Sequence, residues 1–200
     1  MTLSGARIVA VIGALATAAA VTSCSTSPSP HQHVPSAISG SNAQPTERNA
    51  DDVAFAVNMM PHHQQAVEMS AMVPSRSANP QLLVVAQHIS SDQQAEILTF
   101  EGLVLQWHEP SDGHSGHTGV MTMAGMVDPA TMNRLRSLRG AEFEQLWLRS
   151  MIRHHQGAIT MAQNELAHGE SPDARQLAEM IITAQRREIA QMTDLLNVTE

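Results

Sequence analysis

The 200-residue sequence repeats itself at one fixed offset, and that repeat limits the fold more than any other feature. Phe55–Met69 (FAVNMMPHHQQAVEM) lies over Trp147–Met161 (WLRSMIRHHQGAITM), so that His62 meets His154, 92 positions further on. Ala86, Ile89, Gln93, Glu96 and Ile97 lie over Ala178, Ile181, Gln185, Glu188 and Ile189 at the same offset of 92, with no gap. One shift shared by two separated segments makes the domain two copies of one unit, each a pair of segments.

Each segment has helical spacing. At roughly 100° per residue, Phe55, Met59, His62, His63, Ala66 and Met69 fall within an arc of about 120°. Trp147, Met151, His154, His155, Ala158 and Met161 do the same in the second copy. The second segments are expected from Pro80 to Trp107 and from Pro172 to Val198. Their apolar stripes each hold a Gln and a Glu: Gln93 and Glu96, then Gln185 and Glu188. A carboxylate inside an apolar stripe is costly unless paired or metal-bound. Short turns at Val73–Pro80 and His168–Pro172 predict antiparallel hairpins, and two hairpins predict an all-α four-helix bundle with the Gln/Glu pairs facing the His/Met stripes. Copy one covers about 51–107 and copy two about 143–198, within a domain of 49–200. Between them, 108–127 is a Gly-, His- and Met-rich loop carrying His114, His117, Met121, Met123 and Met126. Asp128-Pro129 reads as a helix cap followed by a first-turn proline, opening a short helix to Leu138.

These residue types point to a soft metal ion. The chain has 13 Met and 11 His but no Tyr and only 3 Phe. Met can fill a core where aromatics are scarce, but that does not account for the histidines. Imidazole binds several transition metals, and thioether favours Cu(I), so a His/Met set without thiolate points to copper before zinc or iron, with other transition metals open. The candidate ligands are Met59, His62, His63, Met69, Met151, His154, His155 and Met161, with a second, loop site at His114, His117, Met121, Met123 and Met126. The methionines can equally be core. Adjacent histidines differ by about 100° on a helix, so one of each pair can point inward while the other orients it or faces solvent. Gln93, Glu96, Gln185 and Glu188 are either ligands or the groups that hold the imidazoles.

The N-terminus sets the expected compartment. Ile8–Val21 is almost wholly apolar, and small residues then precede the only cysteine, Cys24. This resembles a lipoprotein signal peptide, 1–23, with cleavage and acylation at Cys24. Residues 24–48, rich in Ser, Pro, Asn and Gln, read as a flexible, disordered tether. The expected location is therefore the outer face of the cell membrane, held by lipid. A formal charge of −8 without a basic run argues against nucleic acid.

The doubled Met-x-x-His-His-Gln-x-Ala-x-x-Met, the Gln-x-x-Glu-Ile pieces and Met123-Ala-Gly-Met126 resemble the bacterial family known as domain of unknown function 305, over about Asp51–Leu196. The resemblance implies a ferritin-like four-helix fold, export, often as a lipoprotein, and in some members copper binding and copper tolerance. Arg153 departs from the motif, where the first copy has Pro61. It is expected to place a cation beside His154 and weaken metal binding there. The leading expectation is a non-enzymatic protein that sequesters or passes on copper, with a delivery partner or a homo-oligomer as open partners. A di-metal oxidoreductase is the first alternative, but Met59 and Met151 stand where a Glu-x-x-His site needs Glu. A lipoprotein that binds another protein is the second.

Overall fold

Helix ends are set by local chemistry at nearly every boundary. The computed structural model describes residues 47–108 and 123–199. Asn49 accepts from the Asp51 and Asp52 amides, and Asp52 accepts in return from the Asn49 amide, so a capping box starts α1, Ala50–Met72. A single 3₁₀ turn, Val73–Ser75, leads to Asn79, whose side chain caps α2, Pro80–Gln106, with proline in its first turn. Asp128 caps the short α3, Pro129–Ser137, as its Asp-Pro sequence predicts. Gly140, at φ +59°, opens α4, Gly140–His168, in a backbone region that other residues disfavour. α5 runs Pro172–Thr199. Among the described residues there is no strand, and no helix is long and apolar enough to cross a membrane. The leader, Cys24, residues 24–46 of the tether, His114, His117 and Met121 lie outside the described residues.

The helices pair as the repeat predicts. α1 packs on α2 and α4 on α5, and the two hairpins meet mainly through α1 and α4. α1 and α4 run antiparallel, because each one's start is tied to the other hairpin's turn. The Asn49 amide group donates to His168 O (2.7 Å), and Asp52 accepts from the Glu170 and Ser171 amides. At the opposite end Gly140 N donates to Arg76 O (2.8 Å), and Ser77 Oγ donates to Glu144 Oε1 (2.6 Å). Asp52 and Glu144 are repeat partners, so different side chains make the same lock at the two ends.

The core comes in two apolar clusters. One holds Trp147, Phe143, Met151, Met69, Leu82 and Ile89; the other holds Phe55, Phe100, Met59, Leu103, Ala158 and Ile181. Burying each large side chain contributes about 1.5–3 kcal/mol. Trp147 also donates its indole N–H to Met69 O (2.9 Å), fastening α4 to α1. The four motif histidines, Gln93 and Gln185 are buried as well.

Candidate metal centre

Polar side chains in the bundle interior must be positioned before they can bind anything. His62 and His154, each on the facing side of its motif helix, stack at the α1–α4 contact with ring centroids 3.7 Å apart and planes inclined by 33°. Their neighbours turn the other way, towards the second helix of each hairpin. His63 Nε2 lies 2.8 Å from Glu96 Oε2, and His155 Nε2 lies 2.8 Å from Glu188 Oε2. All four imidazoles are buried, so neither member of a pair faces solvent. Of the two expected arrangements, this excludes the solvent-facing one: the ~100° between adjacent residues is used to reach two different helices, both inside the bundle.

These contacts set where the lone pairs lie. Ala124 O is 3.1 Å from His62 Nε2, and a carbonyl can only accept, so Nε2 carries the proton. Glu188 likewise accepts from His155 Nε2. In a neutral ring the lone pair is then on Nδ1, and the Nδ1 atoms of His62 and His155 are buried without a hydrogen-bond partner, while neither nitrogen of His63 makes a well-formed hydrogen bond although its Nε2 lies 2.8 Å from Glu96. Neither nitrogen of His154 makes a well-formed hydrogen bond, although the His62 main chain lies close enough to offset part of its shift. Burial, with the other imidazoles adding, pushes His62 down to about 3 and His154 well below the usual range. Both rings are therefore neutral at pH 7 and need lose no proton to accept a cation. The side-chain amides of Gln93 and Gln185 are also buried without partners.

The donor set fits a soft ion of low coordination number. Among the described residues, no three His, Cys, Asp or Glu side chains group closely enough to hold one ion. Glu96 and Glu188 sit against histidines, in the positions of groups that orient an imidazole. An ion between imidazoles would therefore draw further ligands from sulfur. Met59 and Met151 each lie one turn before the central histidine on the same helix face, and antiparallel α1 and α4 put them in opposite apolar clusters, one on either side of the stacked pair.

The remaining named residues separate. Met69 is buried in the cluster of Trp147, remote in sequence register from its repeat partner's surroundings. Met161 is only half-buried and, with Met123, Asn58 and Asn164, lines a cavity of about 390 Å³ on the outer face of α1 and α4. Met126 is half-buried in the linker, its amide bonded to Met123 O (3.1 Å). Arg153 is exposed, and the charges acting on His154 are those of the other histidines, so the expected cation beside His154 is not there.

The sequence reading passed over the residues that seat the linker. Gln65 holds Val127 at both its N–H (2.7 Å) and its C=O (2.9 Å). Its repeat partner is Gly157, where an added Cβ would stand 1.8 Å from Ala124 O. Met123–Val127 therefore crosses the α1–α4 face over the stacked histidines, gripped by one copy and admitted by the other. The mismatch of Gln65 with Gly157, between the matching pairs Gln64/Gln156 and Ala66/Ala158, was the available signal. Sequence reading also missed Glu165, buried beside Asp52. Burial, then the Asp52 carboxylate, pushes it up to about 8, so at neutral pH it stays largely protonated.

The family model described as domain of unknown function (DUF305) matches residues 52–196. A secreted DUF305 protein from Streptomyces coelicolor has a similar structure, with 31% identity, a TM-score of 0.70, and coverage of 74% of this chain and 93% of that one. A DUF305 fragment from Deinococcus radiodurans is similar at 31% identity and a TM-score of 0.68, covering 74% and 97%. CopM in its Cu(II)-bound form is similar at 32% identity and a TM-score of 0.65, covering 74% and 97%, and CopM is also seen in Cu(I)-bound and Ag-bound forms. No curated protein matches the chain.

Proposed function

The chain belongs to the DUF305 family, and from that premise we propose that it binds copper outside the cytoplasm, sequestering it or passing it on, with the buried histidine layer as the main site. The observation that carries this reading is the stacked His62–His154 pair: two neutral imidazoles in an apolar interior, with ring nitrogens that no protein group satisfies. Leaving such atoms unpaired costs about 1–3 kcal/mol each, and a bound ion would recover it. His62 and His154 would be ligands, with Met59 and Met151 supplying sulfur; His63 and His155, steadied by Glu96 and Glu188, would complete or orient the set. Thioether with neutral imidazole favours Cu(I), and Ag(I) shares that softness. CopM, which has this fold and is about one-third identical, is bound to both metals in its structures.

The location rests on the apolar leader ending at Cys24 and on the similarity to a secreted protein. Acylation of Cys24 would hold the domain at the outer face of the membrane through residues 24–48. A di-metal oxidase is disfavoured by the donor set, since among the described residues Glu96 and Glu188 alone supply carboxylates to this layer, and each meets a histidine.

The test is competition for Cu(I) against a chromogenic chelator, with Zn(II) as the control metal. The wild-type protein should take Cu(I) and leave Zn(II). His62→Ala/His154→Ala should weaken Cu(I) binding by about a hundredfold, the loss of roughly 2.7 kcal/mol of ligation. Unchanged affinity in a variant that keeps its helical circular dichroism would move the site elsewhere. Labelling with a radioactive fatty acid, lost in Cys24→Ala, tests the anchor.

A further inference from the structure

The histidine layer lies inside the bundle, so an ion needs a way in. On the α1–α4 face the Met123–Val127 strap lies over the stacked pair, with Ala124 O on His62 and Gln65 holding Val127 by two hydrogen bonds. The opposite face is different. α2 and α5 touch each other much less than α1 and α4 do, and two clefts lie between them. Most of their lining residues are repeat partners, so they are one feature seen twice: Met180 in the first stands where His88 stands in the second, and Asp173 where Gln81 stands.

The two clefts differ in what they reach. The first, about 760 Å³, has Glu96 in its wall, the carboxylate that lies 2.8 Å from His63. The second, about 590 Å³, does not include Glu188. They differ in charge as well. Asp92, Glu96 and Asp173 line the first, whereas Asp194 is the one carboxylate in the second. The exposed thioether of Met180 (57% accessible) sits among the acidic groups of the first. Behind Glu96, the Nδ1 of fully buried His63 has no partner, and neither does the amide of Gln93.

We infer that the Glu96 cleft between α2 and α5 is the path by which a soft transition-metal cation reaches the histidine layer. This rests on the metal-binding reading above. The three carboxylates are too far apart to close on an ion, so they attract rather than hold it. A cleft lined by one sign of charge, with low-dielectric walls, raises the local concentration of the opposite ion. Met180 offers a soft first contact, and Glu96 passes the ion inward to His63.

The experiment measures how fast the full-length protein takes Cu(I) from a chromogenic chelator in stopped flow at low ionic strength. Asp92→Asn/Asp173→Asn/Met180→Leu alters only exposed side chains. It should slow uptake by about tenfold, with the affinity at equilibrium kept within about twofold, and raised salt should shrink the difference. His88→Ala/Asp194→Asn, in the sister cleft, should leave the rate unchanged. Equal slowing by both variants, or no slowing by the first, would overturn the path while leaving the metal site standing. A wild-type protein that takes up no Cu(I) at all would overturn the metal reading, and the path with it.

Discussion

The two copies carry the same His-His-Gln core but not the same surroundings. In copy one, Gln65 grips the linker strap, His62 has its Nε2 held by a backbone carbonyl, and Glu96 opens on an acidic cleft. In copy two, Gly157 makes room for the strap, His154 has no comparable hydrogen bond, and Glu188 is not part of the sister cleft. Duplication supplied two equal half-sites, and a single linker cannot cross a two-fold interface symmetrically. One copy had to hold it and the other had to yield. The difference teaches that a repeat's functional asymmetry sits at the positions where the copies disagree, not where they agree.

The largest effect expected is shared by the copies and tests whether both central histidines are equally buried. The folded state holds His62 and His154 neutral, with His62 at about 3 against an ordinary value of 6.5. At these two sites the unfolded chain therefore binds more protons below pH 6.5, and they pull stability down as pH falls. His62 alone should cost about 2 kcal/mol at pH 5 relative to pH 7, with His154 adding in the same direction. Urea unfolding of metal-free Glu165→Gln protein at the two pH values, free of the opposing titration of Glu165, measures this. A loss that vanishes in His62→Leu but persists in His154→Leu would make the copies unequal in burial.

Next comes the strap. Gly157→Ala sets a methyl group against the Ala124 carbonyl and the Gly125 Cα, both backbone, so the strap must move. It should cost about 3 kcal/mol, at the upper end of overpacking. Gln65→Ala only frees two hydrogen bonds, and about 1–2 kcal/mol is expected. Equal costs in chemical denaturation would mean that grip and room contribute alike, against the division drawn here.

A smaller effect belongs to copy two alone. Glu165, whose repeat partner is Val73, is held at about 8, above its ordinary 4.5. A raised carboxyl favours folding while protonated, and that advantage is lost as pH rises from 4.5 through 8. Stability should drop by about 1 kcal/mol between pH 7 and 8. Glu165→Gln, which cannot ionise, should flatten that alkaline arm and steepen the loss below pH 7, where the ionisation of Glu165 opposes that of the histidines; a thermal melt series across pH reads both.

The smallest effect is on copy one's surface, where Arg136 of α3 meets Glu68 at 2.5 Å with both side chains about half exposed. Glu68→Gln should change stability by less than about 0.5 kcal/mol, and less again in high salt. A larger value in denaturant titrations would give α3 a part in holding copy one together.

Much of the bundle was legible in the chain. The constant offset of 92 gave the hairpin pairing, Asp128 marked the start of the short helix, and Glu96 and Glu188 were correctly turned towards the histidines. The candidate site was legible only in part. Helical spacing placed Met59, His62 and His63 on one face, but it could not show that His62 stacks on His154, since that contact crosses between copies. It also grouped Met161 with Met69, whereas Met161 lines an outer cavity beside Met123.

Local periodicity and repetition thus determined the helices, their pairing and the residue types available to an ion, because both depend on short-range backbone geometry and on which faces are apolar. Only the tertiary structure decided which nitrogens are left without partners, which face the strap covers and which carboxylate opens to solvent. Those outcomes depend on how two nearly equal hairpins meet around one unrepeated linker, and nothing in either copy alone encodes that meeting.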